Sequence, residues 1–138
     1  MLLSTQNHRL SDVFGVRESI KILKDAGFDA YDISLFAAEN TKYFAGDDYA
    51  DKARELKAYA DELGIVCTQA HAPFGSSTGD PVRDEQIFQS IVKAMEIAAI
   101  LGAEIIVVHP KQHLEYSDFI EESKAMNLEF YQRLLPYC

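Results

Sequence analysis

Three helix-like stretches of this chain each end in a glycine followed by a strand-like run, and the three glycines, Gly27, Gly64 and Gly102, fall 37 and 38 residues apart. A fixed period of this length marks one supersecondary unit used repeatedly, and it restricts the fold before any single residue is considered. Each unit reads as a strand, a loop and an amphipathic helix. Strands are expected over residues 2–6, 30–35, 65–70 (running on into His71) and 104–108. The first helix is expected over residues 12–26, with Ser11 as its N-cap and Val16, Ile20 and Leu23 as its apolar stripe. The second covers residues 48–63 and turns Tyr49, Ala53, Leu56 and Ala60 inward. Asp80 and Pro81 have the residue types of an N-cap and a first helical position. They open a third helix carrying Ile87, Ile91, Ala94, Ala98 and Leu101. Ser117 is placed to cap a fourth, with Phe119, Met126, Phe130 and Leu134 on its buried face and Pro136 at its end.

Strands alternating with helices imply a parallel sheet joined by right-handed crossovers. Two architectures have that content: an open doubly wound sheet, and a (β/α)4 half of a (β/α)8 barrel. Eight units at this period need about 300 residues, within the range of the barrel fold. The 138 residues here supply about half, as a single domain, 1–138, of four βα units. Strand polarity favours the barrel. Central strands of an open sheet are apolar on both faces. Here Asp32 and Ser34 share one face of the second strand, and Gln69 and His71 one face of the third. One side of the sheet therefore becomes polar toward the carboxyl ends of its strands, as at a barrel mouth.

Composition removes several classes of function. A formal net charge of -9 argues against a nucleic-acid backbone as the main partner, since that needs a cationic patch. No apolar run approaches the ~20 residues of a membrane span, and MLLSTQNHRL lacks the features of a signal peptide. Two cysteines, Cys67 within a strand and Cys138, make no disulfide framework and suit a reducing cytoplasm. Cys67 reads as a small buried apolar residue. Neither G-x-G-x-x-G nor G-x-x-x-x-G-K-[ST] occurs. GSSTGD, from Gly75 to Asp80, has the glycines of an anion cradle but no lysine, and reads as an ordinary loop.

The chemical clue lies in the third and fourth strands, which end in His71 and His109, with Pro73 and Pro110 close behind. Side chains at the carboxyl ends of parallel strands face the ligand site. Two imidazoles there can ligate a metal with carboxylates or contact sugar hydroxyls. A histidine hydrogen-bonded to backbone is the structural alternative. Asp32 can hold a substrate hydroxyl or orient a histidine. Gln6 is a weaker contact candidate, and His8 beyond it reads as exposed. Phe36 and Phe74 can wall a sugar ring, although helix packing is the commoner use of such residues. His113 and Glu115 follow His109 as loop residues able to add ligands. Glu104 begins its strand at the wrong end for catalysis, and Glu121 and Glu122 read as solvated.

The stretches LKDAGFDAYDISLF, ELGIVCTQAHAPF and ILGAEIIVVHP resemble the xylose isomerase-like TIM barrels. That superfamily includes sugar phosphate isomerases and epimerases and has zinc-dependent apurinic endonucleases among its relatives. The resemblance implies the first four βα units of the barrel. It also implies metal-assisted isomerisation or epimerisation of a small carbohydrate or sugar phosphate. The metal would be Mn, Zn, Mg or Co, with His71 and His109, which match family positions at the barrel mouth, as candidate ligands and His71 as a substrate contact; Gln6 and Asp32 join it as candidate substrate contacts on strand-end position alone. The remaining ligands and the glutamate base are expected on the second half of the barrel, beyond this chain. Three readings follow: the N-terminal half of an isomerase or epimerase, a self-associating half-barrel that binds metal or ligand without catalysis, and a fragment of an endonuclease. Each half-barrel reading requires a partner, either a C-terminal half or a second copy in a homodimer. The acidic balance disfavours the endonuclease.

Overall fold

The computed structural model describes residues 1–75, 80–110 and 120–138. Four strands, β1 (Ser4–Gln6), β2 (Ala30–Ser34), β3 (Val66–His71) and β4 (Ile105–Val107), pair in chain order, each parallel to the next. Between and after them come α1 (His8–Phe14), α2 (Val16–Asp25), α3 (Ala38–Tyr43), α4 (Tyr49–Leu63), α5 (Pro81–Leu101) and α6 (Ile120–Leu134), closed by a 3-10 turn, Leu135–Tyr137.

The order settles the architecture. A doubly wound sheet reverses its strand order and carries helices on both faces. Here the order never reverses. Tyr31 and Ile33 of β2 and Cys67 and Ala70 of β3 point to the side where α2, α4 and α5 contribute Ile20, Leu56 and Ile91, all in one core. The opposite face carries Asp32, Gln69 and His71, and leaves Val66 46% and Ile105 57% exposed. The open-sheet alternative is therefore set aside, and the sheet is half of a parallel α/β barrel with its concave face uncovered. Each fully buried Ile or Leu on the convex side contributes about 1.5–3 kcal/mol.

Local chemistry explains the helices. Asp80 caps α5, its Oδ1 accepting from the backbone N–H of Val82 at 2.9 Å and of Arg83 at 3.4 Å, with Pro81 at the first helical position. Gly64 and Gly102 end α4 and α5 in the left-handed conformation. Ala53, Leu56 and Ala60 of α4 and Ile91, Ala94, Ala98 and Leu101 of α5 are buried as their spacing requires. Phe130 and Leu134 of α6 are buried too, but Met126 only partly so. Arg133 of α6 reaches Glu85 of α5 at 2.6 Å.

The structure departs from the sequence reading in four places. Residues 12–26 are not one helix: Gly15, at φ 84° and ψ 167°, breaks the path between α1 and α2. An L-residue avoids that conformation, which glycine adopts freely. Ser11 consequently lies inside α1, where its hydroxyl donates to the His8 carbonyl at 2.8 Å instead of capping a helix. The short α3 was not expected at all. Three strands are shorter than expected, β1 and β4 by two residues each and β2 by one, while β3 keeps its length and lies one residue later. Ser117 and Phe119 lie outside the described residues. Among those described, no helix is long and apolar enough to cross a membrane.

Candidate functional site

Parallel pairing sets Asp32 opposite Gln69 and Ser34 opposite His71. The register shifts between Tyr31 and Asp32, so Thr68 is an extra residue on β3. Beyond that bulge Gln69 and His71 lie on the Asp32 face. Three side chains then meet. His71 Nδ1 stands 2.8 Å from Asp32 Oδ2 and 3.0 Å from Oδ1, while Gln69 Nε2 donates to Asp32 Oδ2 at 2.6 Å. Asp32 is only 5% exposed, so its carboxylate depends on these donors in place of water.

The arrangement assigns a protonation pattern. An ionised carboxylate only accepts, so the proton of the neutral imidazole sits on Nδ1 and the lone pair on Nε2. Gln6 Nε2, from the end of β1, lies 3.4 Å from that Nε2. Asp32, Gln6, His71, Gln69, Thr68, Ser4 and Thr5 together line an open polar hollow of about 340 Å³ on the concave face. It can accept hydroxyl hydrogens at His71 Nε2 and both donate and accept through the Gln6 amide.

A row of rings stands beside the hollow. His109 lies tilted against Phe74 with centroids 4.6 Å apart, Phe74 meets Phe36 at 5.1 Å, and Phe36 meets His8 edge-on at 4.8 Å. The His71 ring is 5.8 Å from His109 and 6.2 Å from Phe36. The two phenylalanines thus pack on each other and on histidines. His8 is not the exposed residue the sequence suggested: it is half-buried at the start of α1, with Nε2 3.5 Å from Asp12.

Among the described residues no three His, Cys, Asp or Glu side chains are grouped as a metal ion requires. His71 and His109 offer two imidazoles, and the Asp32 carboxylate is already engaged by Nδ1 and Gln69. These residues alone do not make a metal centre. His113, Glu115 and residues 76–79 of GSSTGD fall outside the described residues. Glu104 is exposed just before β4, and Glu121 and Glu122 are exposed on α6, remote from the hollow in sequence and element.

Sequence reasoning named Gln6, Asp32, His71 and His109, and the fold brings all four to one end of the sheet. It missed Gln69 as a partner of Asp32, although the alternation that grouped Gln69 with His71 was the signal. It also missed Asn7 and Asn40, fully buried behind the ring row. Cys67 is buried and unpaired, as its strand position implied. Burial pushes its thiol up to about 12.

Residues 20–138 match the sequence profile of a family described as the xylose isomerase-like TIM barrel. No curated protein sequence matches the chain. Several solved structures share its fold. A D-tagatose 3-epimerase-like protein superposes at a TM-score of 0.73 and 22% identity, over 99% of this chain and 48% of its own. A D-psicose 3-epimerase determined with D-fructose gives 0.69 at 14%, over 99% and 48%. The 3-keto-D-glucoside 4-epimerase of E. coli gives 0.67 at 20%, over 99% and 51%. The chain spans about half the length of these structures.

Proposed function

The chain belongs to the xylose isomerase-like TIM barrel family, and on that footing we propose that it supplies the N-terminal half of the active-site barrel of a sugar isomerase or epimerase. The observation that carries the proposal is the Asp32–His71 pair, whose Nε2, 3.4 Å from the Gln6 amide nitrogen, faces a polar hollow. A hydrophobic core has no use for a buried carboxylate aimed at an imidazole on a solvent-facing surface. A sugar site does, because a chain of hydroxyls needs acceptors and donors held at fixed angles. The sugar-epimerase names of the three structural neighbours support the same substrate class.

In this reading Asp32 holds His71 in one tautomer. His71 Nε2 accepts from a sugar hydroxyl or carries a proton at that oxygen. Gln6 orients a second hydroxyl, and Phe36 and Phe74 stack on the apolar face of the ring. Moving a hydrogen next to a carbonyl also needs a base on the carbon. No described residue of this half is placed for it, and the base is assigned to the other half of the barrel. The divalent metal belongs to the proposal in the same way, with His71 and His109 as contributors to a ligand set completed elsewhere. A reducing, cytoplasmic setting fits the two unpaired thiols.

The test is turnover. The natively encoded protein, supplied with Mn, Zn, Mg or Co, is assayed against panels of free and phosphorylated ketoses and aldoses. Epimer or isomer formation that is lost in His71→Ala is the expected result; no turnover with any metal and no metal uptake would sink the reading.

A second reading has its own observation. Val66 and Ile105 expose aliphatic side chains on the concave face, and β1 and β4 each leave one edge unpaired within the described sheet. Two copies related by a twofold along the barrel axis would close both edges and cover that face. Sedimentation of the chain separates the cases: a well-folded monomer at micromolar concentration excludes the self-associating half-barrel.

A further inference from the structure

Behind the ring row lies a buried polar cluster that the sugar-site reading leaves unused. Asn7, Ser19, Ser34 and Asn40 have no solvent exposure. Asn40 Nδ2 donates to Asn7 Oδ1 at 3.0 Å and to the Ser34 carbonyl at 2.9 Å. The Ser34 backbone N–H donates to the same Asn7 Oδ1 at 3.1 Å. Asn7 Nδ2 donates to Ser19 Oγ at 3.3 Å, and the Asn7 backbone N–H to the Asp32 carbonyl at 3.0 Å. Beside the cluster, Thr41 Oγ1 donates to the Leu35 carbonyl at 3.0 Å, and the Leu35 N–H to the His71 carbonyl at 2.8 Å.

These bonds converge on one short turn, residues 34–37, between β2 and α3. Ser34, Leu35 and Ala37 are buried, and Phe36 alone projects from the turn into the ring row. Connecting β2 to α3 needs no such apparatus, since the turn already closes on its own bond from Ala37 N–H to the Ser34 carbonyl at 2.9 Å. Buried amides are costly unless paired, and a paired network fixes one arrangement where aliphatic packing would allow several. A further bond ties α1 to α3, where Asp12 Oδ1 accepts from the Glu39 N–H at 3.3 Å.

We propose that Asn7 and Asn40 are positioning residues of the site: they lock the 34–37 turn so that Phe36 stands as a fixed wall beside His71. Through that wall they set the preference for a ligand with an apolar ring face. The second half of the proposal rests on the sugar reading; the first can be read on the protein alone.

The experiment compares wild type, Asn40→Ala, Phe36→Ala and the double variant of the full chain. Ring-proton Overhauser contacts between Phe36 and His8 report the wall, and calorimetric titration with D-fructose reports the site. Asn40→Ala should keep the wild-type circular dichroism, lose the Phe36–His8 contact and bind about tenfold more weakly, the scale of one aromatic contact. The double variant should bind no more weakly than Phe36→Ala, because Asn40 acts through that ring. An intact Phe36–His8 contact in Asn40→Ala, or losses that multiply in the double variant, overturns the proposal. If Asn40→Ala does not fold, Asn40→Ser removes the same two Nδ2 bonds with a smaller change of volume. It should still shift the Phe36 contacts, and unchanged contacts overturn the proposal equally. Absence of D-fructose binding by wild type counts against the sugar reading, and the Overhauser contact then decides the positioning claim separately.

Discussion

Replacing Asp32 by Asn separates a functional carboxylate from a structural one. The side chain keeps its size, loses its charge and stays within reach of Gln69 and His71. Two charge-assisted bonds, at about 1.5–3 kcal/mol each, become neutral ones of about 1 kcal/mol. Against that loss of about 1–4 kcal/mol stands relief from burying an ion, which costs several kcal/mol in a protein interior. Gln69 can turn its amide to accept from the new NH2, which leaves the Asn oxygen to His71 Nδ1–H. The two terms nearly cancel, and Asp32→Asn should change unfolding stability by less than about 1 kcal/mol, or roughly 4 °C in Tm. Ligand binding enjoys no such cancellation. The neutral amide oxygen holds the imidazole less firmly than the carboxylate did, and weakening such an orienting partner typically lowers function 10–100-fold. Urea denaturation and sugar titration on the same preparations provide both numbers. A variant destabilised by more than about 3 kcal/mol that binds sugar as wild type does would show that Asp32 is a structural hydrogen-bonding group, and the argument from the pair would fall.

Other expectations follow from single contacts. Asp80→Ala removes the cap of α5 and should cost about 1 kcal/mol in a urea melt. Ile91→Ala empties a fully buried position under the sheet and should cost about 2–5 kcal/mol by the same measurement. At pH 8 a disulfide reagent should titrate Cys138, which is exposed, and leave Cys67 unreacted until urea is added. Alkali should destabilise the fold. Tyr31 and Cys67 both stay protonated when folded, chiefly because burial raises them, whereas unfolding returns them to 10.0 and 9.0. Their contribution is complete below about pH 9 and is lost as pH rises, by up to about 1.4 kcal/mol per pH unit per group. A urea midpoint that climbs between pH 8 and 10 would refute this.

The parts of the fold legible in the sequence are those set by local rules. The helix ends at Gly64 and Gly102, the Asp80–Pro81 start and the stripe of α5 each depend on neighbours within a turn or two. The split at Gly15 was hidden because Val16, Ile20 and Leu23 keep helical spacing on one side of it, and nothing in the spacing shows that the chain bends before them. The α3 helix was hidden because it has no apolar stripe; it is held through Asn40, an amide whose partners lie 33 and 6 residues away. The site divides in the same way. Strand-end position pointed to His71 and His109. The meeting of Asp32 with His71 needed the register between β2 and β3, and that register contains a bulge that no alternation pattern announces.

Neighbouring strands in this sheet are neighbours in the chain. During synthesis, then, each new strand finds its hydrogen-bonding edge on a segment already made, and each crossover closes a loop of one repeat. Partners one repeat apart keep each closure as short as a parallel crossover allows, and they favour stepwise growth from the N-terminus. Assembly ordered in this way brings the Asn7 loop and β2 together first. The pocket therefore begins to take shape as soon as β3 docks and delivers Gln69 and His71 to a carboxylate already waiting.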